Sequence, residues 1–289
     1  MNDVWKRLRE LGDSFTIAEI TATRELFVPR TLSPLSVGAR VFRDLAYGPD
    51  PRHRLDVFAP DAAGKLPVVL FVHGGGFVGG DKGKEGEPFY NNVGAWAVRC
   101  GFIGVTMTYR LAPAHAWPSG AQDVDLALGW LQAQVAKFGG DPARIVVMGH
   151  SAGAAHVAGC LARHGCAPGS RAHAAAAILV SGIYALDVYP DGYDYQVYFG
   201  ADRRHDVERS TVAQLASLDI PSLFTVSEFD PAPFHRNLAA VFQARVRDSG
   251  RCPDVLYQRG HNHVSVMMQI GGELDTAGNE LAEFIRQLR

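Results

Sequence analysis

The sequence predicts an α/β fold: one mostly parallel sheet with helices on both faces and a small cap built from the N-terminus and an insert. Two observations predict it. Continuous apolar runs of strand length read as strands buried on both faces: "LPVVLFVH" (66–73), "FIGVTMTY" (102–109), "RIVVMGH" (144–150), "AAILVSG" (176–182) and "PSLFTVSE" (221–228). Helix-period segments fill the gaps between them, at 89–100, 119–138, 152–164, 232–248 and 266–288. Strands and helices that alternate in this way pack as parallel strands joined by right-handed crossovers.

The bulk numbers agree with such a domain. A chain of 289 residues can bury a large core, and 47% hydrophobic with 20% charged residues is ordinary for a globular protein. The formal net charge of -2 gives no reason to expect a nucleic-acid or membrane partner. The opening "MNDVWKRLRELGDSF" has no apolar run and no small-residue cleavage site, and the longest apolar runs are too short to span a bilayer. Cys100, Cys160, Cys166 and Cys252 show no zinc-like pairing and read as free thiols. The expectation is a cytoplasmic protein; association into a homo-oligomer stays open.

Taken in order, residues 1–40 differ from the rest. Val4, Leu8 and Leu11 recur at helical spacing, and Pro29 and Pro34 then break the pattern. This segment is expected to be a helical cap lying across a main domain of residues 41–289. "HRLDVFAP" (53–60) alternates like an antiparallel strand, and the five buried strands follow. "DVLYQRG" (254–260) is a weaker strand. The stretch 183–215 is rich in Tyr and Asp and lacks a long apolar run, so it reads as a small lid or pocket wall above the sheet.

The chemistry-bearing motifs sit at strand ends. "GHSAG" (149–153) follows a predicted strand and opens a predicted helix, the context in which a Gly-x-Ser-x-Gly turn exposes a reactive serine. With 31 glycines in the chain the pattern alone is weak, and a glycine-rich junction with a structural serine would look the same. "HGGGF" (73–77) ends an earlier strand. Three consecutive glycines cost conformational entropy, and a backbone that must approach a substrate is a reason to keep them. The N–H groups of Gly75 and Gly76, with that of Ala152, are the expected oxyanion donors. A phosphate loop would need a Lys-Ser/Thr pair that does not follow. His73 reads as a structural residue of the loop. A serine needs a base and the base an orienting carboxylate. "SEFDP" (227–231) offers Asp230 as the acid, with Glu228 as the alternative nearer the strand; Asp230 could instead merely cap the next helix. "RGHNHVS" (259–265) offers His261 or His263 as the base. A metal held by the two histidines lacks a third ligand, so none is expected. Loop, serine, acid and histidine each follow a strand in one chain order, and together they point to a serine hydrolase.

These motifs, with "YRLAPAHAWPSGAQDV" (109–124), resemble the α/β-hydrolase superfamily over about residues 41–289. The hormone-sensitive-lipase-like carboxylesterases are the nearest branch, with features of kynurenine-formamidase-like proteins. The resemblance implies an α/β-hydrolase fold and a base within a Gly-x-x-His loop, which selects His263 over His261. It implies a triad of Ser151, Asp230 and His263 with no cofactor. There are departures. The residue before the serine is His150, where the esterase branch usually has Asp. The base is followed by Val264 and Ser265, closer to the formamidase-like proteins, and Phe77 stands where those proteins usually have Trp. Phe77 and His150 are candidate substrate-binding residues. The expected reaction is hydrolysis of a small-molecule carboxylic ester with a short to medium acyl chain, through an acyl-enzyme. The alternatives are an arylformamidase cleaving an N-formyl amide and a non-catalytic receptor binding a small ligand in the same pocket.

Overall fold

The computed structural model describes residues 2–61, 64–167, 170, 173–189 and 195–288. Its core is an eight-stranded sheet in the order β1-β2-β4-β3-β5-β6-β7-β8. The strands are β1 (Arg40–Ala46), β2 (Arg54–Ala59), β3 (Leu66–Val72), β4 (Ile103–Met107), β5 (Gly140–His150), β6 (Ala176–Val180), β7 (Ser222–Phe229) and β8 (Asp254–Asn262). β2 pairs antiparallel with β1 and with β4; every pair from β4 through β8 is parallel. The main helices are α1 (Asn2–Leu11), α2 (Ile17–Phe27), α3 (Asn91–Arg99), α4 (Ser119–Gln134), α5 (Ala152–Leu161) and, beyond the insert, α9 (Ala232–Ser249). The insert carries the short helices α6 (Gln196–Phe199), α7 (Asp206–Arg209) and α8 (Val212–Ala216), and the chain ends with α10 (Ser265–Met268) and α11 (Gly278–Arg286).

The two-residue period of a strand explains both layers. Val68, Leu70 and Val72 of β3 join one core with Val124, Leu128 and Leu131 of α4 and Val157 of α5. Val69 and Phe71 face the opposite side and meet Val93 and Trp96 of α3 and Leu281 and Ile285 of α11. Both faces are therefore dry, which is why the central strands lack polar alternation.

Three elements depart from the sequence reading. β1 has no counterpart in it, because Arg40, Arg43 and Asp44 interrupt the apolar pattern of this half-exposed edge strand. The N-terminal segment holds two helices rather than one, with α2 following the turn around Phe15. The single helix expected over 266–288 is two, parted by Gly271, Gly272 and Asp275; the Asp275 carboxylate accepts hydrogen bonds from the N–H groups of Gly271, Ala277 and Gly278.

The segment 109–124 proves to be a clamp. Asp123, fully buried in α4, accepts from the main-chain N–H and guanidinium of Arg110 and meets His53 Nε2 at 3.0 Å. Such a buried carboxylate is tolerated only when its oxygens are fully engaged. Of the 183–215 excursion, residues 190–194 lie outside the described residues. The described part packs Leu186, Tyr189, Tyr195 and Tyr198 over Ala152 and Phe77.

Candidate active site

The turn at Ser151 is built by what its neighbours lack. Ser151 adopts φ 56° and ψ -119°, in the positive-φ region that an L-residue occupies only when its surroundings impose it. A Cβ on Gly153 would overlap the carbonyl oxygens of Val72 and His73, and one on Gly149 would press on the main chain of Gly153 and Ala154. Both glycines therefore have a steric cause: α5 starts in direct contact with β3. The Ser151 N–H is tied to the carbonyl of Val180 at 2.9 Å.

Three strand ends then converge. Ser151 Oγ lies 2.9 Å from His263 Nε2, and His263 Nδ1 lies 2.6 Å from Asp230 Oδ1. All three side chains are buried. The other carboxylate oxygen of Asp230 accepts from Ser181 Oγ at 2.6 Å and from the Ser227 N–H at 2.7 Å. Burial pushes the Asp230 carboxyl up, but the hydrogen bonds and charge of His263, with those of Ser181 and Ser227, outweigh it and hold the group below its usual value. An ionised carboxylate can only accept, so Nδ1 carries the imidazole hydrogen and Nε2 is left to accept from the Ser151 hydroxyl.

The other candidates fall elsewhere. Glu228 is exposed and accepts from the Gly260 N–H at 2.7 Å, away from the histidine. His261 is held between Ser265 Oγ at 2.9 Å and Thr276 Oγ1 at 3.1 Å, with the Trp5 ring in T-shaped contact at 4.9 Å. Asp230 makes no helix cap: the cap position of α9 is Pro231 and has no side-chain bond. His73 is buried, with Nδ1 against the Gly74 carbonyl and its ring stacked on Tyr109. Gly75 (φ 137°) lines the same cavity as Ser151, and Gly76 (φ 59°) follows it on the exposed side of the loop. Among the described residues the N–H groups of Gly75, Gly76 and Ala152 donate to no other group.

Phe77 requires a correction. Its ring is 2% exposed and stacks on Tyr198 at 4.7 Å, inside the aromatic cluster under the insert, and it is not part of the cavity wall around Ser151. The ring is turned away from the cavity by its packing against Tyr198, Phe199 and His156. His156 is buried among Phe77, Tyr109 and Tyr198. His150 does line the cavity with Ser151.

The cavity at Ser151 encloses about 280 Å³. Phe15, Ile20, Phe89, Tyr90 and Met268 give it apolar walls, while Arg24, Asp81 and Glu87 add charge. The loop bearing Asp81 and Glu87 is pinned by Lys82, which bridges Asp44 at 2.8 Å and the buried Asp56 at 2.9 Å. Phe15 and Phe234 flank the base, with ring centroids 4.6 and 4.2 Å from that of His263. Phe15, Ser181 and Phe234 carry no sequence signal; only the fold brings them to the site.

Residues 55–167 match the BD-FAE family. Over 113 residues the chain is 40% identical to Esterase LipC of Mycobacterium tuberculosis, a match covering 38% of this chain and 27% of that protein. Carboxylesterase NlhH of the same organism is 43% identical over 95 residues, 32% of this chain and 28% of its own length. The chain thus spans less than a third of the length of these curated relatives. Among solved structures, Esterase B from Lactobacillus rhamnosis superposes with a TM-score of 0.75 at 18% identity, over 100% of this chain and 96% of that one. The esterase of Pyrobaculum calidifontis gives 0.68 at 23% identity, over 99% and 98%. No helix among the described residues is long and apolar enough to cross a membrane. A fold shared along the whole chain and a sequence match running through the serine turn lead to one conclusion: this chain has the α/β-hydrolase fold and is similar to esterases that share it.

Proposed function

We propose that this chain is a carboxylesterase-type serine hydrolase that cleaves small-molecule esters through an acyl-enzyme. The observation that carries the reading is the unbroken hydrogen-bonded line from Ser151 Oγ through His263 to Asp230. In this mechanism Ser151 Oγ attacks the ester carbonyl carbon as His263 Nε2 takes its proton. The carbonyl oxygen becomes an oxyanion, received by the free N–H groups of Gly75, Gly76 and Ala152. Asp230 holds the imidazole tautomer and stabilises the imidazolium. The tetrahedral centre collapses, the C–O bond to the alcohol breaks, and His263 returns the proton to the departing alkoxide. Water then repeats the sequence on the acyl-Ser151 ester and releases the acid. No cofactor enters the scheme. The names of the relatives LipC and NlhH, an esterase and a carboxylesterase, support the same chemistry. The four free cysteines fit a cytoplasmic setting.

The acyl group is short to medium. A cavity of about 280 Å³, walled by Phe15, Phe89 and Met268, is small for a ligand site. On p-nitrophenyl esters from acetate to palmitate, kcat/KM is expected to peak at the short end and to fall by about tenfold or more by palmitate. Fastest turnover of palmitate would rule out this substrate class.

A further inference from the structure

His150 ends β5 and immediately precedes Ser151, yet it takes no part in the proton path to Asp230. Its imidazole is buried. Nε2 lies 2.8 Å from the main-chain oxygen of His263. A carbonyl oxygen only accepts, so Nε2 carries the hydrogen and Nδ1 is a bare acceptor. That Nδ1 is buried and has no hydrogen-bond partner among the described residues. It faces the glycine loop, where a Cβ on Gly74 would sit 3.1 Å away. An unpaired buried acceptor is unfavourable, and an apolar side chain of similar size would avoid it. What histidine supplies here, and an apolar filler cannot, is the Nε2–H.

We infer that His150 is a positioning residue: its Nε2–H grips the main chain of His263 and keeps that imidazole in line between Ser151 and Asp230. The inference rests on the hydrolase reading of Ser151 and His263. His263 lies in the turn between β8 and α10, outside the sheet ladder and the helix, so its main chain needs an anchor of this kind. The anchor comes from the residue next to the serine, which couples the two partners through one rigid strand end. It also has to remain uncharged. The two rings are 4.9 Å apart, and a cation at His150 would oppose the charge His263 gains during attack. The ionisable groups facing His150 are His263, Asp230 and, from the end of β3, His73. Burial dominates over all of these and lowers His150 to about 3, so it is neutral near neutral pH.

The experiment compares His150→Met, which fills the space without a donor, with His150→Gln, whose amide nitrogen can reach the same carbonyl. Steady-state kinetics on p-nitrophenyl acetate are run from about pH 5 to 9, with thermal melting of each variant. His150→Met is expected to lower kcat by about 10- to 100-fold with KM within about twofold. His150→Gln is expected to recover kcat to within about fivefold of the parent enzyme. Equal losses in the two variants, or no loss in His150→Met, would overturn the positioning role while leaving the hydrolase reading intact. Turnover by the parent enzyme that survives Ser151→Ala would overturn both. Imidazole nitrogen NMR of the parent protein decides the point even if His150→Met fails to fold. The expected signal is a neutral Nε2–H tautomer that does not titrate between about pH 5 and 8. An Nδ1–H tautomer, or titration in that range, would refute the inference.

Discussion

Ser151→Ala is expected to lower kcat on p-nitrophenyl acetate by about 10⁵-fold while KM changes by no more than a few fold. The substitution removes the oxygen that lies 2.9 Å from His263 Nε2 and leaves the imidazole, the carboxylate and the cavity wall in place. Substrate still binds, because Phe15, Phe89 and Met268 are untouched. What is lost is the interaction that exists only as the bond to the carbonyl forms. Because serine and histidine act as a unit, a Ser151→Ala/His263→Ala double variant is expected to be about as slow as either single variant. Losses that multiply instead would mean that His263 activates something other than Ser151. Stopped assays with the variants at high concentration, corrected for spontaneous hydrolysis, measure this range.

A steep loss of stability in mild acid is the second large effect. Burial holds four imidazoles far below their ordinary value, His73 and His261 at about 4 and His150 and His156 at about 3. In the unfolded chain each takes up a proton below about pH 6.5. In the folded chain each stays neutral until the pH reaches its lowered value. Between those limits the unfolded state binds more protons, so stability rises with pH and is lost as pH falls from about 6.5 toward 4. Each histidine contributes a slope approaching 1.4 kcal/mol per pH unit, or about 5 kcal/mol per unit for the four together. Against a total stability of about 5–15 kcal/mol, this predicts cooperative unfolding above about pH 4. Asp230, held below its usual value, adds its own loss only at lower pH. Urea unfolding at stepped pH is expected to show uptake of about four protons on unfolding near pH 5.5. A slope corresponding to one proton or fewer would show that these imidazoles are solvated or protonated in the native state.

The fold was largely legible because buried parallel strands announce themselves. "LPVVLFVH" and "RIVVMGH" are apolar on both faces for a reason visible in the structure: β3 and β5 each feed two cores. β1 was not legible, since an edge strand that is half exposed keeps Arg40, Arg43 and Asp44 in its pattern. The break between α10 and α11 was carried by Gly271, Gly272 and Asp275, weak signals inside a helical period. At the site, residues that follow strand ends in chain order could be lined up from sequence. Choosing between His261 and His263 could not be done by pattern alone, because both follow the same strand. Their difference is tertiary: His261 turns toward Ser265 and Thr276, and His263 toward Asp230. Phe77 misled because proximity in sequence to a glycine loop says nothing of which way the ring packs. Phe15 and Ser181 lie far from the motifs in sequence and meet them only through folding.

The central claim is that Ser151 is a nucleophile activated by His263. A fluorophosphonate reacts covalently with such a serine, with loss of fluoride, and the intact protein can be weighed before and after. A single adduct that maps to the peptide containing Ser151 is the predicted result, with no adduct in Ser151→Ala. An unmodified chain, or an adduct on another residue with Ser151 untouched, would contradict the account.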